Sequence, residues 1–330
     1  MGLLAPPRNL QRDRLSVPYQ ERLKVAGEWF ARWCARQELD MTALSQNPKL
    51  MTGALVTYLQ ALYDHGFALW LGVHTVLWAQ TEFRELKGHL RSAWDSVSSW
   101  RLSRPVTSRV PMPEAVMRAL VCWGVLSATT MEKRCAHMWW NFSVAVPFAF
   151  FGLMRPQELF GLKKEHIRLP GPQSFVQTQV GTATIFSPKN RAFGGRRQVR
   201  LVKDRSALAW MAWWLRSLPE GGAVWGYSEY RFRRCLAEGL AYLGLEGLKL
   251  SAASLRAGGA TCLLERGVSL AEIRFAGCWA SEKAMSVYLQ EAEAAATLLQ
   301  ISGPAAVRLE RVLKLFAFCA SPPACEAPLL

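Results

Sequence analysis

From Glu21 to Trp33 the apolar residues Leu23, Ala26, Trp29, Phe30 and Trp33 recur at spacings of three and four, the period of an amphipathic helix. Further helices are predicted from Lys49 to Tyr63 and from His65 to Lys87, the second with a breaking Gly66 near its start. The stretch from Pro18 to Ser99 therefore reads as helical throughout, and the six tryptophans of this half, Trp29, Trp33, Trp70, Trp78, Trp94 and Trp100, are expected mainly in a core. A basic segment punctuated by prolines follows, from Arg101 to Pro113. Proline fixes φ and disfavours helix in the residue before it, so this segment is expected to be an extended linker.

Helical periodicity resumes from Pro113 to Cys122 and from about Thr130 to Phe151. Pro156 falls where the first residue of a new helix would lie, with Glu158 in its first turn. The period then changes. Ser174–Val180, Thr182–Phe186 and Arg197–Val202 alternate as strands do. Helices return over Arg205–Arg216 and Tyr227–Tyr242, and Ser251 or Ser254 is placed to cap another that runs to Arg266 and stops at Gly267. Ser269 and Glu272 form a capping box for a short helix ended by Gly277, and Ser281 opens a helix expected to carry Tyr288. Val307–Phe316 is amphipathic at helical spacing, and the proline-containing end from Cys319 to Leu330 is expected to fray. The fold class expected is mainly α with a small antiparallel β-sheet (α+β). Its divisions are a flexible 1–17, a helical 18–100, the linker 101–113, a larger domain 114–300 and a helix and tail 301–330.

Composition narrows the function classes. Of 330 residues 51% are hydrophobic, enough for a real core, and the net charge is +15. Such a field attracts polyanions, with nucleic acid the leading partner and an anionic membrane surface its competitor. The longest apolar run, Phe142 to Met154, contains Ser143 and Pro147 and falls short of the roughly 18–20 residues of a spanning helix. Pro6, Pro7 and Arg8 interrupt the amino-terminal apolar stretch too early for a secretory signal, so a soluble protein is expected, its compartment left open. Eight cysteines form no CxxC pair and no zinc-ligand spacing, so free thiols, no metal and no cofactor are expected.

Five scattered residues carry candidate chemistry: Arg155, Lys189, Arg256, Trp279 and Tyr288. Two guanidinium forks, an ammonium, an indole N–H and a phenol are what in-line attack on a phosphodiester requires when no metal is used. Taken singly each has a plainer reading. Arg155 and Glu158 suit an ion pair on one helix turn, Trp279 suits a core and Tyr288 a buried helix position. Lys189 shares its loop with Arg191, Arg196 and Arg197. These three, with Arg101, Arg104 and Arg109 of the linker, are candidate contacts to a DNA backbone, against simple solvation.

In order and spacing the set resembles the tyrosine recombinases, the phage-integrase family. The stretch Ala149-Phe150-Phe151-Gly152-Leu153-Met154-Arg155-Pro156-Gln157-Glu158-Leu159-Phe160-Gly161-Leu162 resembles the family's first box; Leu255-Arg256 through Gly267, Ile273, Gly277, Trp279 and Tyr288 resembles the second. The interval of nine residues from Trp279 to Tyr288 matches the family's, and the likeness covers roughly residues 110–295. The Gly277-Cys278-Trp279 form looks closer to recombinases of eukaryotic mobile elements, which would make the location nuclear. The resemblance implies a helical DNA-clamping domain ahead of a catalytic domain, double-stranded DNA as partner and a homo-oligomer on it. It implies a Tyr288 nucleophile forming a 3′-phosphotyrosyl bond, with Arg155 and Arg256 clamping the phosphate. Lys189 would be the general acid, Trp279 an indole donor and Glu158 the support of Arg155. It also implies a carboxy-terminal helix that docks on a neighbouring protomer, against packing on its own domain.

One departure stands out. The family's second box usually carries His three residues before its second Arg, and here that position is Ala253, with no His after His166. The alternatives are therefore a degenerate relative that binds DNA without cutting it and, ranked lower, a type IB topoisomerase. Affinity for double-stranded DNA is expected to fall steeply between about 50 and 200 mM salt, as counterion release requires. A filter-binding titration at several salt concentrations checks this, and a flat response contradicts it.

Overall fold

Asp40 and Asn47 set the beginnings of two early helices. The Asp40 carboxylate accepts hydrogen bonds from the backbone N–H groups of Thr42 and Ala43, and the Asn47 amide oxygen accepts from those of Lys49 and Leu50. In this computed structural model residues 15–104, 110–171, 179–186, 188 and 197–323 are described. The chain divides into two units, Met1–Thr107 and Ser108–Leu330. The first holds α1 (Val17–Arg36), α2 (Met41–Gln46), α3 (Pro48–Asp64), α4 (Leu69–Glu82) and α5 (Arg91–Ser103). Phe30, Tyr58, Leu59, Val76, Val97 and Trp100 build its core. The expected helix from His65 to Lys87 begins only at Leu69 and ends at Glu82, after which Arg84–Leu86 forms a single 3₁₀ turn. α5 continues to Ser103, so Arg101 belongs to a helix rather than to an extended linker. Of the six tryptophans Trp100 is fully buried, whereas Trp29 and Trp70 are exposed.

The second unit is built on α6 (Glu114–Thr130) and α7 (Lys133–Phe151), which pack side by side. Phe142, Phe148, Trp139, Trp210, Trp213 and Trp214 are fully buried in the core around them. Apolar burial on this scale, about 25 cal/mol per Å², is what makes the frame rigid enough to hold charged groups away from water. α8 (Pro156–Phe160) follows α7 directly. A small antiparallel sheet then runs β1 (Ile167–Arg168), β2 (Gly181–Ile185) and β3 (Gln198–Val202), in that order. Ala183 is the partner of both Ile167 and Arg200. The first strand differs from expectation: it is Ile167–Arg168, while 174–178 of the expected strand lie outside the described residues.

α9 (Arg205–Ser217) packs on α7, and α10 (Glu229–Leu243) ends at Gly244 in the left-handed conformation. α11 (Ser254–Glu265) is buried from Ser254 to Cys262 because it lies against main chain on two sides. A Cβ on Gly258 would meet the Met112 carbonyl at 2.0 Å, and one on Gly259 the Phe150 carbonyl at 2.1 Å. Two adjacent glycines thus let α11 approach both the start of α6 and the end of α7. α12 (Leu270–Ala276) opens with the expected capping box, in which Ser269 and Glu272 bond each other's backbone N–H. α13 (Glu282–Ser286), α14 (Glu291–Leu299), α15 (Gly303–Lys314) and α16 (Phe316–Cys319) complete the unit.

The carboxy-terminal segment is not frayed at Cys319. Its carbonyl accepts from the Trp210 indole at 3.0 Å, the next carbonyl, of Ala320, accepts from Ser206, and Cys319 itself is buried. α15 and α16 pack on α6 of their own chain, the alternative set against docking on a neighbouring protomer. Among the described residues no helix is long and apolar enough to cross a membrane.

Because the Phe150 carbonyl is main chain and cannot rotate aside, Gly259→Ala is expected to destabilise the second unit by about 1–3 kcal/mol. A lowered urea midpoint at unchanged slope checks it, and an unchanged midpoint shows that α11 does not lie this close.

Candidate active site

Two helix ends create the grip on Arg256. α7 closes with Gly152, after which Leu153 adopts φ 48° and the Met154 N–H returns to the Ala149 carbonyl at 2.9 Å. α12 closes in the same way: Cys278 has φ 49° and the Trp279 N–H bonds the Arg274 carbonyl at 3.0 Å. These are Schellman-type closures, which normally place glycine at the left-handed position. A side chain there costs roughly 1–2 kcal/mol. The strain has a visible correlate. The Arg256 guanidinium donates to the Leu153 carbonyl, and its second terminal nitrogen donates to the Gly277 carbonyl at 2.7 Å.

Arg155 is held differently. Preceding a proline, it is extended at φ −72° and ψ 149°, just outside α8. The Glu158 carboxylate accepts from the Arg155 backbone N–H at 3.0 Å and from its guanidinium at 2.5 Å. Glu158 is also 4.0 Å from Arg256, so the residues of the two boxes share one carboxylate. The Arg256 guanidinium stands 4.2 Å from the centre of the Trp279 ring and 5.4 Å from that of Tyr288. The two rings are 5.3 Å apart. Trp279 can take this position only because residue 277 is glycine, since a Cβ there would lie 1.7 Å from the indole. Tyr288 is not on a helix as expected. α13 ends at Ser286, and Tyr288 sits in the following turn with its N–H on the Met285 carbonyl at 2.7 Å. The Thr261 hydroxyl donates to the Tyr288 carbonyl at 3.3 Å.

Sequence reasoning missed one member, Arg200. It lies on β3 with no solvent exposure, and one terminal nitrogen donates to both Glu158 oxygens at 2.9 Å. The signal was present. Yet it was inverted: alternation by itself would turn the apolar Val199 and Leu201 inward, whereas in the fold Gln198, Arg200 and Val202 face inward and Val199 is exposed.

Three guanidinium groups thus surround one carboxylate, leaving the cluster cationic. Burial would raise the Glu158 carboxyl, but Arg200, the Arg155 N–H and the Arg155 guanidinium outweigh it and hold the group below its ordinary value. Burial, then the neighbouring Arg200 and Arg155, pull Arg256 down from its ordinary value, though not far enough to discharge it at neutral pH. The Arg256 Nε and the Trp279 indole N–H are buried donors without a hydrogen-bond partner among the described residues. Surplus positive charge with unused donors is the chemistry of an anion site.

Ala253, half-buried, occupies the position before α11, so neither Ser251 nor Ser254 caps that helix. Its neighbours Ser251 and Pro156 line a cavity of about 530 Å³ floored by Leu236 and Leu240. The Ser254 hydroxyl is occupied in its own turn, accepting from the Ser251 N–H at 3.1 Å. Of the cationic candidates, Arg197 lies over the Phe186 ring at 5.7 Å. In the first unit Arg104 lies over the Tyr63 ring at 4.2 Å, and Arg101 is exposed. Lys189, Arg109, Arg191 and Arg196 lie outside the described residues.

A depressed carboxyl stabilises the fold fully above its unfolded-state value, and that contribution is lost as pH falls through the folded-state value. The stability difference between the protein and its Glu158→Gln variant is therefore expected to hold above the ordinary value of 4.5 and to shrink as pH drops below it. Urea unfolding across pH 3–7 measures the difference, and a difference independent of pH over that range contradicts a charged, arginine-held Glu158.

No family model matches the chain, and no curated protein matches it in sequence. Among solved structures it is similar to the XerH site-specific recombinase bound to a palindromic difH substrate in a post-cleavage complex. That match has 16% identity and a TM-score of 0.53, covering 83% of this chain and 76% of the other. A XerH pre-cleavage complex with difH substrate also matches at 16% identity, with a TM-score of 0.46, covering 74% of this chain and 69% of the other. The mainly helical chain with its small three-stranded antiparallel sheet has the tyrosine-recombinase fold.

Proposed function

We propose that this chain breaks and rejoins double-stranded DNA through a covalent tyrosyl intermediate. The observation that carries the reading is the meeting of Arg155, Arg256, Trp279 and Tyr288, drawn from separate stretches of sequence, around one buried carboxylate. The Tyr288 phenol oxygen attacks phosphorus, the bond to the 5′ oxygen breaks and a 3′-phosphotyrosyl ester forms. The phosphodiester bond energy is kept, so no ATP is needed. Arg155 and Arg256 hold the non-bridging oxygens, where planar forks match the charge that develops in the transition state. The unpartnered Trp279 indole N–H gives a further donor to the phosphoryl group. Lys189 protonates the leaving 5′ oxygen to give the free 5′ hydroxyl, a role that rests on the family resemblance. With Ala253 offering no acceptor, the phenol proton passes to solvent, and the reaction is slow.

The +15 charge favours the DNA backbone as the wider binding surface, with Arg101, Arg104, Arg109, Arg191, Arg196 and Arg197 as contacts. Exchange between two sites requires several protomers, and the Gly277-Cys278-Trp279 form looks more like that of recombinases of eukaryotic mobile elements. A second reading is favoured by Ala253 alone: a relative that binds DNA and no longer cuts it.

Incubation with nicked DNA followed by denaturing electrophoresis separates the two. The cutting enzyme gives a covalent adduct that Tyr288→Phe abolishes while DNA affinity is retained. Ala253→His is expected to speed adduct formation by about 10²-fold, the typical contribution of a positioned proton acceptor. Equal, adduct-free binding by the protein, Tyr288→Phe and Ala253→His sinks the enzymatic reading and leaves the binding one.

A further inference from the structure

We propose that Arg200 is a positioning residue for phosphate cleavage, saturating Glu158 from the protein interior so that Arg155 and Arg256 keep their charge directed at the bound phosphodiester. This rests on the reading of the site as a phosphodiester-cleaving centre. Arg200 has no exposed surface, so it does not itself meet DNA. Its contacts run instead to the two supports of the site. One terminal nitrogen bonds both Glu158 oxygens at 2.9 Å, and the other approaches the Ala276 carbonyl at 3.4 Å. Ala276 is the last residue of α12 and precedes Gly277, whose carbonyl holds Arg256 and on whose bare Cα the Trp279 ring rests.

Charge explains why a third guanidinium belongs there. Two arginines sharing one buried carboxylate would be half neutralised, and Glu158 would compete with the phosphate for both forks. Arg200 occupies the carboxylate from behind, so that Glu158 fixes the direction of Arg155 without consuming the charge of the pair. A buried ion network of this kind is weak evidence for stability, since apolar replacements are often neutral or better. Its position between two phosphate-facing arginines is what gives it a role in geometry.

The test separates DNA affinity from single-turnover adduct formation on nicked DNA, using Arg200→Met, Arg200→Lys and, as a control on the same inward face of β3, Val202→Ala. Arg200→Met is expected to bind DNA within about twofold of the unaltered protein and to form adduct about 10–10² times more slowly, the effect of a misdirected clamp. Arg200→Lys is expected to recover part of the rate, and Val202→Ala to leave it unchanged. In combination with Glu158→Gln, Arg200→Met is expected to add little, since both act through one network. The inference is overturned if Arg200→Met cuts within threefold of the unaltered protein, or if Arg200→Met and Val202→Ala lose rate in step with their melting temperatures. If Arg200→Met does not fold, Arg200→Lys decides: a tenfold slower rate at unchanged affinity supports the role, and an unaltered rate removes it. If the unaltered protein forms no adduct, the cutting reading falls by itself. The role of Arg200 is then judged by calorimetry with inorganic phosphate, where binding weakened tenfold in Arg200→Met supports it and equal or absent binding overturns it.

Discussion

The charge on Glu158 is the constraint on which the site depends. Three guanidinium groups approach this one carboxylate, two of them almost wholly without solvent. An isolated buried cation carries an effective desolvation penalty of several kcal/mol, so such a cluster assembles only around an anion. One carboxylate cannot neutralise three cations, and the surplus is available to a ligand that brings negative charge. The attraction that folds the centre is therefore incomplete among the described residues, and that shortage is what the proposed binding of a phosphodiester would use.

The main chain supplies the rest of the grip. Arg256 is held by two carbonyls, and each belongs to a helix end closed through a left-handed residue that is not glycine. Where a side chain would obstruct instead, the chain uses glycine. Gly258 and Gly259 admit the helix that carries Arg256, and Gly277 admits the Trp279 ring. Charged groups are thus positioned by rigid backbone rather than by loops, which limits the reorganisation needed when an anion enters. Tyr288 stands apart in this respect. It lies in a turn after a five-residue helix, tied chiefly by hydrogen bonds of its main chain to Met285 and Thr261.

Ala253 defines a different edge. At this point the chain presents a methyl group beside an apolar-floored cavity, with the Ser254 hydroxyl already engaged in its own turn. In the proposed reading, the arginines supply the electrostatic half of a phosphodiester site, and position 253 supplies no proton acceptor to it. These two halves are separable because charge stabilisation depends on fixed dipoles and proton transfer on one titratable side chain.

Much of this was legible in the sequence. Periodicity located most of the helices and the β2 and β3 strands, the Ser269–Glu272 capping box lies where the residues put it, and the order of the two boxes pointed to Arg155, Glu158, Arg256, Trp279 and Tyr288 as one group. Local pattern carries such information because capping and amphipathic burial act over a few residues. Tertiary structure decided the rest. It brought Arg200 from a strand to the carboxylate, ended α13 two residues before Tyr288, made β1 from Ile167 and Arg168, and folded the last helices back onto α6. Each of these turns on contacts between segments far apart along the chain, and the free energy of such contacts has no signature in the local pattern of apolar and polar residues.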